Sequence, residues 1–72
     1  MSTDAKTSPI FLTDREKEVL NAVAEGLSSQ EIAIELYVSK RTVDFHLANI
    51  YTKLTVNNRI KALKAAQKLG LL

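Results

Sequence analysis

The chain has 72 residues, a net charge of +2, no Cys and one His. That length allows one domain near the small end of what folds alone. The residue counts exclude disulfides, thiol chemistry, cysteine-ligated zinc and a His-rich metal site.

Residues 1–10 are polar with one Pro and no periodicity, and they read as a flexible arm. Residues 11–72 divide into four helical segments, an all-α domain. Helix one is expected over 13–26. Thr13-Asp14-Arg15-Glu16 fits a capping box, Val19, Leu20, Val23, Ala24 and Leu27 recur at helical spacing, and Gly26 supplies a left-handed stop. Helix two is expected over 28–36. Ser28-Ser29-Gln30-Glu31 is a second capping box, Leu27 and Ile32 are placed for a hydrophobic staple, and Ile32, Ala33 and Leu36 form the buried stripe.

Helix three is expected over 39–54, with a staple between Val38 and Val43. Val43, Leu47, Ile50 and Leu54 form one narrow apolar stripe. Helix four is expected over 57–69, capped by Asn57 or Asn58 and stopped by Gly70. No segment alternates with period two for long enough to make a strand. Helix two, a short turn and helix three have the dimensions of a helix-turn-helix.

Charge is unevenly placed. Residues 1–36 carry three basic and seven acidic side chains, whereas residues 37–72 carry seven basic and only Asp44. A basic half in a small domain points to a polyanionic partner, most often nucleic acid. There is no nucleophile–base pair, no Gly-rich phosphate loop and no metal cluster, so an enzyme is not expected and no cofactor is called for. No apolar stretch is long enough to span a membrane, and no leader with a cleavage site is read at the start.

The order and spacing of several motifs resemble one family. Leu12-Thr13-x-Arg15-Glu16-x-Glu18-Val19-Leu20, Glu25-Gly26-Leu27-Ser28 and Glu31-Ile32-Ala33-x-x-Leu36 come first. Ser39-x-x-Thr42-Val43-x-x-His46, Asn49-Ile50-x-x-Lys53-Leu54, Arg59 and Ala62 follow, and Leu69-Gly70-Leu71-Leu72 closes the chain. Residues 11–72 thus resemble the LuxR/GerE-type helix-turn-helix domain. Arg-Glu-x-Glu-Val-Leu alone also resembles the DNA-binding end of sigma factors, and the Thr-Val-x-x-His-x-x-Asn-Ile-x-x-Lys-Leu run separates the two. The resemblance implies a bacterial, cytoplasmic transcription regulator. It implies binding to an inverted-repeat operator in double-stranded DNA as a homodimer through the last helix. RNA polymerase or a related regulator would be a further partner.

The resemblance carries base reading onto Asp44, Phe45 and Ala48. The family's first position is usually Lys or Arg, so Asp44 departs from the pattern. Asp accepts from the cytosine amino group, and Phe and Ala contact a thymine methyl. A helical wheel puts Arg41, Phe45, Ala48, Asn49 and Thr52 opposite the apolar stripe. Phosphate contacts are expected from Ser29 and Gln30 at the start of helix two and from Lys40, Arg41 and Thr42 at the start of helix three. Asn49, Lys53 and Arg59 are expected on the flanking backbone. Each of these has an alternative: Asn49 as a solvated amide, Lys53 as a solvated lysine, and Arg59 as an ion-pair partner of a helix-one carboxylate such as Glu16. His46, beside the apolar stripe, reads as a packing residue rather than a metal ligand.

In helix four, Ala62, Ala66 and Leu69 are expected to face the core. Ile60, Leu63, Lys64, Gln67 and Leu71 are expected to form the dimer strip. A competing function is an antagonist that pairs with a related regulator through helix four and does not itself bind DNA specifically. The Asp44-Phe45-Ala48 set motivates it.

Overall fold

The computed structural model describes residues 10–72. The expected arm therefore lies outside the described residues, apart from Ile10. Four α-helices follow in order: α1 (Asp14–Ala24), α2 (Ser29–Leu36), α3 (Lys40–Leu54) and α4 (Arg59–Lys68). Among the described residues there is no strand, and no helix is long and apolar enough to cross a membrane.

Each helix starts on a side chain that replaces a missing intrahelical acceptor. Thr13 Oγ1 accepts from the Glu16 N–H at 3.1 Å while Glu16 Oε1 accepts from the Thr13 N–H at 3.0 Å. Ser28 and Glu31 repeat this reciprocal box. Ser39 caps α3 through the Thr42 N–H, and Asn58 rather than Asn57 caps α4 through the Lys61 N–H.

The four helices also end alike. The N–H groups of Leu27, Val38, Val56 and Leu71 each bond back five residues, to the carbonyls of Ala22, Ala33, Tyr51 and Ala66. In each case the preceding residue is left-handed: Gly26 at φ 92°, Tyr37 at 59°, Thr55 at 58° and Gly70 at 75°. This is the Schellman closure, and its apolar final residue packs back on the domain. Leu27 and Val38 serve twice, because each is also the residue before the next N-cap. There they staple toward the fully buried Ile32 and Val43. The turns are short because one apolar residue both closes one helix and opens the next.

The core is formed by Leu12, Val19, Leu20, Val23, Ile32, Ala33, Val43, Leu47, Ile50, Leu54, Ala62 and Ala66, with Ala22 at its margin. Helix α3 lies at its centre and packs against α1, α2 and α4. Three expectations need correction. Ala24 is exposed and Ala22 is buried in its place. Leu69 is not a core residue but is 41% exposed, whereas Leu71 folds back onto the core. The wheel fails there because the helix stops at Lys68 and Gly70 reverses the chain.

Candidate nucleic-acid interface

The apolar stripe of α3 uses up one side of that helix. Its opposite side is free: Arg41, Phe45, Ala48 and Thr52 are all exposed and follow one another at spacings of four, three and four. Phe45 is 62% exposed, with its ring edge-on to the half-buried His46 at 5.7 Å between centroids. Fifteen residues make α3 about 22 Å long. A helix of that size with one exposed side fits the major groove of B-form DNA.

One flank of the stripe carries a polar chain. Lys40 Nζ donates to Asp44 Oδ2 at 3.0 Å. Arg59 Nη2 donates to Ser29 Oγ at 3.0 Å, and Arg59 Nη1 donates to the Leu27 carbonyl at 3.0 Å. The hydrogen bond from Lys40 holds the Asp44 carboxyl below its ordinary range. Slight desolvation opposes this, while the Ser29 hydroxyl and the charges of Lys40 and Arg59 add to it. Residues from α2, α3 and α4 thus meet at the start of α2. Gln30 is exposed beside them.

The other flank is held by Lys53. Its ammonium donates to Glu16 Oε1 at 2.7 Å and to the Phe11 carbonyl at 2.9 Å. Burial of Glu16 disfavours its charge. The Lys53 hydrogen bond and charge, the Thr13 N–H and a smaller pull from His46 outweigh burial and hold the carboxyl below its ordinary range. The ion pair expected as the alternative for Arg59 is therefore made by Lys53, and Arg59 bridges α4 to α2 instead. The alternative for Lys53, a solvated side chain, is likewise replaced by a tie between α3 and the start of α1.

Arg41 is exposed and makes no hydrogen bond or ion pair among the described residues. Thr42 is half-buried, with its hydroxyl against that of Ser39 at 3.0 Å. Asn49 is half-buried. On α4, Ile60 is 68% exposed, with Lys64 and Gln67 exposed on the same side. Leu63 and Leu71 instead pack partly on the core. Sequence reading missed the joining of Ser29 to Arg59. Thirty residues separate them, and no local pattern signals the contact.

Comparison with known proteins decides the family. Residues 11–66 match the GerE family, bacterial regulatory proteins of the luxR family. The chain belongs to that family. Over 63 residues it is 54% identical to the transcriptional activator protein AnoR of Acinetobacter nosocomialis, covering 88% of this chain and 26% of that protein. It thus spans about a quarter of that relative's length. The solved structure of the transcription factor GerE superposes with a TM-score of 0.79 at 36% identity, over 85% of this chain and 91% of that one. The DNA-binding domain of the response regulator ComA, solved with the anti-activator RapF, superposes with a TM-score of 0.77 at 40% identity, over 79% and 98%. These relatives are transcription regulators, not enzymes.

Proposed function

We propose that this luxR-family domain binds duplex DNA as a two-fold dimer and so controls transcription. Helix α3 enters the major groove of each half of an inverted repeat, and Ile60, Lys64 and Gln67 on α4 meet their counterparts in the second copy, with Leu63 and Leu71 at the margin. The observation that carries this reading is the exposed Arg41–Phe45–Ala48–Thr52 stripe on the helix whose other side is the centre of the core. Lys40 and Arg41 at its start supply cations for phosphate. Ser29 and Gln30 stand at the α2 N-terminus, where backbone N–H groups favour an anion. Thr42 and Asn49 lie toward the groove walls. Dimerisation sets the two α3 helices about one DNA turn apart, roughly 34–36 Å. A bacterial regulator of this kind works in the cytoplasm, where RNA polymerase or a related regulator is its further partner.

The second reading is the antagonist that pairs through α4 and binds no DNA specifically. It draws on the Lys40–Asp44 ion pair, which neutralises one cation of the phosphate grip. Selection from a randomised duplex pool at two salt concentrations separates the two. An enriched inverted repeat supports the regulator. No retention at low salt leaves the antagonist.

A further inference from the structure

The exposed stripe of α3 is charged or polar only at its ends. Arg41 stands at one end and Thr52 at the other, while its middle is Phe45 and Ala48. Neither of these two side chains donates or accepts a hydrogen bond. Asp44, His46 and Asn49 adjoin them; His46 and Asn49 are half-buried, and the exposed Asp44 carboxylate is drawn off to the flank. Lys40 holds it at 3.0 Å, and the Ser29 hydroxyl and Arg59 both favour its charge from that side. Turned toward the groove it would also meet the repulsion of two phosphate backbones.

We infer that the reading face selects thymine by its 5-methyl group, through Phe45 and Ala48, and that Asp44 is a positioning residue for Lys40 rather than a base reader. The inference rests on the DNA-binding reading and names the base that it reads. All four bases present hydrogen-bonding groups on their major-groove edges, the O4 of thymine among them, and Phe45 and Ala48 pair with none of these. Thymine alone offers an apolar group there. Phe45 meets it with a ring, and Ala48, one helical turn along, leaves room for a second methyl beside the backbone. Asp44 keeps the Lys40 ammonium along the α3 flank, facing the side from which a phosphate approaches the α2 N-terminus.

The test starts from the half-site enriched in the pool selection. Each of its thymines is replaced singly by deoxyuridine, which removes the methyl and leaves base pairing intact. Affinity is read by fluorescence anisotropy. One or two positions in each half-site should lose about fourfold in affinity, the value of one buried methyl. In Phe45→Ala the loss at one of these positions should vanish. Phe45 is largely exposed, so this variant keeps its fold, which far-ultraviolet circular dichroism checks. Asp44→Asn should keep the same thymine preferences and shift binding to every sequence by the same factor.

Affinity indifferent to every deoxyuridine overturns the inference. So does a loss that persists in Phe45→Ala, because it then reflects DNA stiffness and not contact. A cytosine preference that disappears in Asp44→Asn makes Asp44 a base reader and also overturns it. Retention of duplex without enrichment sinks thymine selection but leaves DNA binding standing. No retention at low salt removes both.

Discussion

Thr55 occupies the same place in its turn as Gly26 and Gly70 do in theirs, yet it is β-branched. At φ 58° and ψ 47° it carries the left-handed penalty that glycine escapes. That penalty is about 1–2 kcal/mol for an L-residue. Its side chain is exposed and makes no hydrogen bond among the described residues, so removing it sacrifices little packing. Against this, glycine costs about 0.5–1 kcal/mol through the greater freedom of the unfolded chain. Thr55→Gly should therefore stabilise the domain by about 0.5–1 kcal/mol, a rise in Tm of about 3–6 °C for a chain this short. Gly26→Ala should do the reverse. A Cβ there meets nothing within 4 Å, so the whole cost, about 1–2 kcal/mol, is backbone strain at φ 92°. Thermal and urea unfolding of the two variants read the opposite signs. A Thr55→Gly variant less stable than the parent would refute the argument and point to an unseen role for the threonine.

The Lys53–Glu16 pair makes an asymmetric prediction: Glu16→Gln keeps an acceptor for the Thr13 N–H and costs about 1–2 kcal/mol. Lys53→Met strands a carboxylate that is 5% exposed and costs about 3 kcal/mol, so equal costs in urea denaturation would contradict the geometry. The Glu16 carboxyl is held below its ordinary value of 4.5. Its contribution is full above that pH and lost as pH falls through the lowered value, so the parent's advantage over Glu16→Gln should fade in acid. Arg41→Ala should weaken binding to all duplexes and flatten the salt dependence by about one unit for each phosphate no longer neutralised; an unchanged slope removes Arg41 from the grip. If Lys53 stays with Glu16 and Arg59 with α2, the cations left for phosphate are the unengaged Arg41 and Lys40, which is paired only with the exposed Asp44. A dimer then neutralises about four phosphates, giving a log–log salt slope of about −3.6 rather than about −7 for all four cations. Ile60→Asp should leave a monomer in sedimentation equilibrium, and an unaltered mass would move the interface off α4.

The four helix starts were legible because capping is local chemistry. A hydroxyl or amide must face a free N–H two or three residues on, and Thr13, Ser28, Ser39 and Asn58 carry that signal within four letters. The stops were half legible. Gly26 and Gly70 announce a left-handed residue; Tyr37 and Thr55 do not, since nothing in either side chain favours that conformation. They are forced into it by Val38 and Val56, whose burial outweighs the local strain. The wheel found the exposed stripe of α3 for the same local reason, a fixed 100° per residue. It failed beyond Lys68, where there is no helix to wind.

The site divides along the same line. Exposure of Asp44, Phe45 and Ala48 follows from helical phase alone. The fate of the four cations does not, because Lys40, Arg41, Lys53 and Arg59 look alike as letters and differ only in what lies across the fold from them. Lys53 meets a nearly buried carboxylate 37 positions away. Arg59 meets a carbonyl and a hydroxyl at the opening of α2. Lys40 meets Asp44 one turn on, a contact that i,i+4 spacing could have shown. Of these four, only Arg41 is unengaged among the described residues. A basic half read as one phosphate-binding surface is thus two kinds of charge. Lys53 and Arg59 hold α1, α2 and α4 around α3, and Lys40 and Arg41 stand at the start of α3, where we propose that a polyanion binds.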